Sequence, residues 1–232
     1  MDNIKHIFFD LDHTLWDFDK NSHQALVDIY AELKLGEQIS SFDRFIKKYR
    51  EINQRYWNLY RQNKVTKEQV RDGRFKDTLT FFKFNNANEL GDEMSRLYIK
   101  TSPFKTNLFP HTHDILSKLK AKYKLHIITN GFVEVQHIKL DNSNLSQYFD
   151  VVVCSEETGH KKPHKDVFNL AMKLAKTTAI ESVMIGDSYE ADVIGGLKAG
   201  MKAIWFNPDN QQSKKELIQI QCLSELSTVF KV

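Results

Sequence analysis

The chain has 232 residues, 41% of them hydrophobic and 27% charged, which excludes a disordered or fibrous chain and leaves room for one large or two small packed domains. A formal net charge of +3 is small for this length and gives no ground to expect a nucleic-acid polymer or a membrane surface as partner. Two cysteines, Cys154 and Cys222, do not make a disulfide framework, and Cys154, at the end of the apolar run 151–153, is expected to be a buried free thiol.

From the N-terminus, Asp2, Lys5 and His6 interrupt the first apolar stretch, so it does not read as a secretory leader. No later stretch approaches the roughly 20 apolar residues of a membrane span. The expectation is a cytoplasmic protein, a monomer or weak homodimer. Residues 4–9 form the first of four short apolar runs rich in β-branched and aromatic residues, as strands buried on both faces require. The stretch from about 20 to 100 changes character. It holds amphipathic helical patterns over 22–33, 41–63, 66–82 and 87–100, with Phe42, Phe45, Ile46, Tyr49, Ile52, Tyr56, Trp57 and Tyr60 at three- and four-residue spacing. Helices over 111–121, 133–140, 165–174 and 190–199 then alternate with apolar runs at 125–128, 151–153 and 183–185, and a weaker one at 203–206. Strand alternating with helix predicts an α/β fold: a Rossmann-like parallel sheet with crossover helices, interrupted after its first strand by a helical insertion.

Ligands of such sheets bind beyond the carboxyl ends of the strands, and the polar residues there form a series. The first run ends in Asp10-Leu11-Asp12-His13-Thr14, the second in Thr129-Asn130-Gly131. Lys162-Pro163 follows the third, and Gly186-Asp187-Ser188, with Asp192 one turn on, follows the fourth. Residues two apart in an extended chain point the same way, so Asp10 and Asp12 can face one site. Thr129 offers a hydroxyl, and the backbone N–H groups that follow it offer a seat for phosphate. Each residue alone is an ordinary turn former, N-cap or loop lysine. Two carboxylates, a hydroxyl, a cation and a further carboxylate at four successive strand ends make a site.

In these four segments the sequence resembles the haloacid dehalogenase superfamily, over nearly its whole length. The resemblance implies a Rossmann-like core of residues 1–16 with 103–232 and an α-helical cap of the C1 type over 17–102. It implies Asp10 as nucleophile, Asp12 as acid and base, and Lys162, Thr129 and Asn130 on the phosphate. Mg²⁺ would be held by Asp10, Asp187 and the backbone carbonyl of Asp12, with Asp192 ordering the metal shell or Lys162 from behind. Dehalogenases of the superfamily lack the second acidic residue, so Asp12 favours transfer of a phosphoryl group from a small phosphate ester. Trp16-Asp17-Phe18, Arg71-x-x-Arg74-Phe75 and Asn130-Gly131 with Gln136 look like the pyrimidine 5′-nucleotidases among its members, with Trp16 or Phe18 as an aromatic surface for a nucleobase. A sugar-phosphate phosphatase or a phosphomutase is the alternative, and a non-catalytic binding protein on the same scaffold is a distant third.

Other signals fail on their own terms. Asp10, Asp12, Asp17 and Asp19 do not make an EF-hand, because Leu15 stands where that loop needs glycine. His111 with His113, and Lys162 with His164, lack a carboxylate or cysteine to complete a zinc set in sequence. No GxxxxGK occurs, and Lys20, Lys34, Lys47 and Lys48 read as solvated lysines rather than Schiff-base donors.

Overall fold

Strand β1 (His6–Phe9) is buried along its whole length. It starts two residues later than its apolar run, because the Ile4 N–H turns back to the Met1 carbonyl instead of joining the ladder. The computed structural model describes residues 1, 3–212 and 217–232. It divides into two units, Met1–Phe18 with Thr106–Val232, and Asp19–Lys105.

The second unit is all helix, and its elements follow from local chemistry. Helix α1 (Phe18–Glu32) is followed by α2 (Phe42–Arg61), which is capped by Ser41, whose hydroxyl accepts the Arg44 N–H. The buried positions of α2 are Phe45, Ile46, Tyr49, Ile52 and Tyr60, the spacing of one helix face. The single helix expected over 66–82 is instead a π turn, Gln69–Gly73, running into α3 (Arg74–Phe81). Thr66 and Gln69 form a reciprocal capping box at its start, with N–H to side-chain distances of 2.8 and 3.2 Å. The wider turn brings Gly73 under Tyr56: a Cβ there would lie 2.5 Å from the Tyr56 hydroxyl. Helix α4 (Ala87–Thr101) completes a core of Ala25, Leu26, Phe45, Tyr49, Phe75, Leu79 and Met94.

The first unit carries the sheet. Helix α5 (Thr112–Lys120) leads into β2 (Lys124–Thr129), α6 (Val133–Asn142), β3 (Phe149–Cys154) and α7 (Lys165–Leu174). Strand β4 (Ser182–Gly186) enters a π turn, Tyr189–Ile194, and a short α8 (Gly195–Lys198), where one regular helix is expected over 190–199. Then come β5 (Lys202–Phe206), β6 (Ile218–Ile220) and α9 (Leu226–Phe230). All strand pairs are parallel, in the order β3-β2-β1-β4-β5-β6.

Alternation along β1 feeds two cores. Ile7 and Phe9 pack with Ile115, Leu116 and Leu119 of α5 and with Leu226 and Phe230 of α9. Phe8 faces the other way, toward Val167, Phe168 and Ala171 of α7. The expectation of an α/β fold with a Rossmann-like parallel sheet and a helical insertion is met. Cys154 is buried and both cysteines are free, as expected. Among the described residues no helix is long and apolar enough to cross a membrane.

Candidate active site

Strand order reverses at β1, with β2 and β3 to one side and β4, β5 and β6 to the other. Such a switch point opens a crevice at the strand ends, and Asp10, Thr129 and Asp187 stand there. Lys162 reaches the crevice from the segment between β3 and α7. It is 1% exposed, and its ammonium donates to Asp10 Oδ1 at 2.6 Å, Asp192 Oδ1 at 2.6 Å and the Ile128 carbonyl at 2.7 Å. An ammonium with three acceptors is the form in which a buried lysine is tolerated.

Both oxygens of Asp192 are engaged, since its Oδ2 accepts the Ser188 N–H at 3.0 Å. Ser188 in turn caps the following turn by accepting the Ala191 N–H at 3.2 Å. A Cβ at Gly186 would stand 2.2 Å from Asp192 Oδ2, so glycine is what lets that carboxylate lie against β4. Thr14 links the first and fourth strand ends: its hydroxyl donates to Asp187 Oδ1 at 3.2 Å and accepts the Asp187 N–H at 3.0 Å.

Asp10, Asp187 and Asp192 present oxygens within 4.8 Å of one another, against the single cation of Lys162. Burial pushes Asp10 well above the usual carboxylate range; Lys162 pulls it back, and Asp192 and Asp187 add to the rise. Asp187 is pushed up to about 7, by burial first and then by the charge of Asp192. Burial alone would lower Lys162, but Asp10 and Asp192 outweigh it and hold the ammonium above its ordinary value. Three carboxylates facing one ammonium is a surplus of negative charge made of hard oxygen donors, which suits a divalent cation such as Mg²⁺.

A second grouping, His160, His164 and Asp166, supplies the carboxylate that is missing in sequence. Its imidazole rings stack 9° from parallel at 3.9 Å, His160 Nε2 and His164 Nδ1 lie 3.6 and 3.5 Å from Asp166 Oδ2, and His164 Nδ1 accepts the Asp166 N–H at 3.4 Å. That arrangement is a stacked helix cap.

Asp12 does not share the partners of Asp10. The strand stops at Phe9, and the Leu11 carbonyl accepts from the N–H groups of Thr14, Leu15 and Trp16 while His13 takes a left-handed φ of 66°. Side-chain alternation therefore fails to describe this segment. The Asp12 carboxylate instead accepts Lys139 Nζ at 2.7 Å on Oδ1 and Gln136 Nε2 at 2.9 Å on Oδ2. Gln136 Nε2 also lies 2.7 Å from the Thr129 hydroxyl oxygen, which accepts the Gly131 N–H at 3.0 Å as well. With both acceptor positions of Thr129 used, its own O–H is left to donate.

Two expectations change. The Asn130 amide is turned to the backbone of Lys162: Oδ1 accepts the Lys162 N–H at 2.8 Å and Nδ2 donates one hydrogen to the Lys162 carbonyl at 3.1 Å. It clamps the backbone that delivers Lys162. Trp16 is fully buried in the core of the first unit, with Lys139 Nζ 4.3 Å from the centroid of its ring, so it is withdrawn from the aromatic surface expected of it. Phe18 is half-buried, tilted against the His13 ring at 4.8 Å. Lys139 was invisible as a site residue in sequence, where it reads as an ordinary basic residue near the end of a helix. Its spacing of three from Gln136 is the signal that could have shown it.

Known proteins resemble this chain over most of its length. Residues 7–206 match the model of the haloacid dehalogenase-like hydrolases. The pyrimidine 5′-nucleotidase YjjG of Escherichia coli is 28% identical, over 95% of this chain and 93% of its own. The pyrimidine 5′-nucleotidase PynA of Streptococcus pneumoniae is 29% identical, over 90% and 86%. The crystal structure of YfnB from Bacillus subtilis bound to magnesium superposes with a TM-score of 0.89 at 28% identity, covering 99% of both chains. The chain belongs to the haloacid dehalogenase-like hydrolase family.

Proposed function

We propose that this protein is a Mg²⁺-dependent phosphatase of small phosphate monoesters, with pyrimidine nucleoside 5′-monophosphates as preferred substrates. The observation that carries the reading is the pairing of two aspartates with separate supports at one strand end: Asp10 on Lys162 beside Asp187, and Asp12 on Lys139 and Gln136. Asp10 attacks phosphorus, the bond from phosphorus to the ester oxygen breaks, and Asp12 gives its proton to the departing oxygen. Water then attacks the aspartyl phosphate, losing its proton to Asp12, and phosphate leaves with Asp10 restored. Lys162 and the Thr129 hydroxyl stabilise the charge spread over the oxygens of the phosphoryl group in flight. Asp10, Asp187 and the backbone carbonyl of Asp12 would hold Mg²⁺, whose positive charge would let an anionic nucleophile approach an anionic ester. Asp192 acts from behind, by holding Lys162.

The nucleotide preference is supported by the two nucleotidase relatives and by Phe18, the aromatic ring left partly open after Trp16 is withdrawn. Magnesium is supported by the surplus of carboxylates and by the magnesium-bound relative. A panel of pyrimidine nucleotides, purine nucleotides and hexose phosphates, with Mg²⁺ and with a chelator, tests both. Preference for hexose phosphates would replace the nucleotide reading with the sugar-phosphate one, and turnover unaffected by chelation would remove the metal.

A further inference from the structure

Each of the two aspartates has its own lysine. We propose that Lys139 is the positioning residue of Asp12, fixing the carboxylate that serves as acid and base; this rests on the phosphatase reading above. Lys139 and Gln136 lie three apart on α6, hence on one helix face, and each donates to a different oxygen of Asp12. A carboxylate gripped on both oxygens has little rotational freedom.

Lys139 is 5% exposed, and the side chains of the pair are 6% and 20% exposed. Burying an ammonium carries a desolvation cost that a solvated helix lysine would not incur, so its place needs a reason. The surroundings supply the means. Its Nζ lies 4.3 Å from the centroid of the Trp16 ring and 5.8 Å from that of Phe18, two aromatic faces that attract a cation. Asp12, Trp16 and Phe18 all belong to the segment that leaves β1, so one ammonium ties the acid/base residue to the aromatic residues after it. Trp16 is thereby given a role as support for the cation.

The function of this grip is preorganisation. Asp12 must stand on the line of the departing ester oxygen in one step and beside the attacking water in the next, and a carboxylate free to rotate would occupy either place only part of the time. Gln136 alone would leave Oδ1 unheld, because its Nε2 is shared with Thr129.

The leaving group separates this role from a merely structural ion pair. The alcohol of an alkyl phosphate needs the proton of Asp12 to depart, whereas p-nitrophenyl phosphate releases p-nitrophenolate, a stable anion. Lys139→Met and Lys139→Arg are compared with wild type and Asp12→Asn, on uridine 5′-monophosphate and ribose 5-phosphate as alkyl esters and on p-nitrophenyl phosphate, with folding checked by circular dichroism. The expected result is a loss of about a hundredfold in kcat/KM for Lys139→Met on alkyl esters. The loss on p-nitrophenyl phosphate should be several-fold smaller, with a pre-steady-state burst of p-nitrophenol and substantial recovery in Lys139→Arg. An equal loss on both ester classes, or no loss, overturns the proposal. If Asp12→Asn discriminates between the esters and Lys139→Met does not, only the role of Lys139 falls. If Asp12→Asn itself treats them alike, the acid/base reading falls and takes the proposal with it.

Discussion

Replacing Lys162 with methionine keeps most of the side-chain volume and removes one buried charge. The ammonium it removes makes three bonds of 2.6 to 2.7 Å, to Asp10, Asp192 and the Ile128 carbonyl, at 1% exposure. Deleting one partner of a buried ion pair costs roughly 3–5 kcal/mol, because the other charge stays behind without compensation. For a chain of this size that corresponds to a fall in melting temperature of about 6–20 °C, at roughly 2–4 °C per kcal/mol. The cost should depend on pH. Asp10 is already raised by burial, and loss of Lys162 raises it further, so the folded variant holds a proton that the unfolded chain has released. A carboxylate raised in the folded state contributes stability at acid pH that declines as pH climbs from the unfolded value toward the folded one. The deficit relative to wild type should therefore be larger at pH 8 than at pH 5. Thermal unfolding by circular dichroism in the presence of a chelator measures it without a cation standing in for the lysine. A melting temperature equal to wild type, or a deficit that grows toward acid pH, would refute the account of Lys162 as the countercharge of the site.

Three further outcomes can be checked by simpler means. His126 is pushed down to about 4, by burial first and by His6 next, and its Nδ1 has no hydrogen-bond partner in the core. Below about pH 6.5 the unfolded chain binds a proton that the folded one refuses, so stability should fall as pH drops from 7 toward 4, by about 2 kcal/mol after allowance for solvent screening. His126→Phe should flatten that acid limb, and an unchanged limb would place its origin elsewhere. Gly131→Ala puts a Cβ 1.7 Å from Gln136 Nε2, which must swing away from both Asp12 and Thr129. kcat/KM should drop about tenfold for a stability loss of about 1 kcal/mol, and an active variant would show that the Gln136 bridge is idle. Mg²⁺ at a hundred times its Kd should stabilise wild type by about 2.7 kcal/mol in thermal unfolding. Asp187→Asn should abolish that shift, and a shift retained in the variant would move the metal away from Asp187.

Strands β1 to β5 were legible because each is an apolar run, buried on one or both faces, that ends in polar residues. Strand β6 was not: in Ile218-Gln219-Ile220 only Ile220 is buried, and an edge strand of that length leaves no hydrophobic signature. The two π turns, Gln69–Gly73 and Tyr189–Ile194, were also hidden, since one added residue in a turn barely shifts a helical pattern. At the site, Asp10, Thr14, Lys162, Asp187 and Asp192 stand at strand ends in sequence, and the structure joins them by hydrogen bonds. The direction of Asp12 could not be read, because alternation holds only while the chain is extended and Leu11 begins a tight turn. Asn130 and Trp16 show the same limit. Residue type said that one could bind phosphate and the other a base, whereas the backbone of Lys162 and the ammonium of Lys139 occupy them.

The covalent step on Asp10 is the centre of the account, and trapping it tests that step most directly. Asp12→Asn, mixed with Mg²⁺ and p-nitrophenyl phosphate and quenched in acid within the first turnover, should carry one phosphoryl group on the peptide that contains Asp10, found by mass spectrometry. The same treatment of Asp10→Asn should leave that peptide unlabelled and the enzyme inactive. A phosphoryl group on any other residue, or turnover at the wild-type rate by Asp10→Asn, would contradict it.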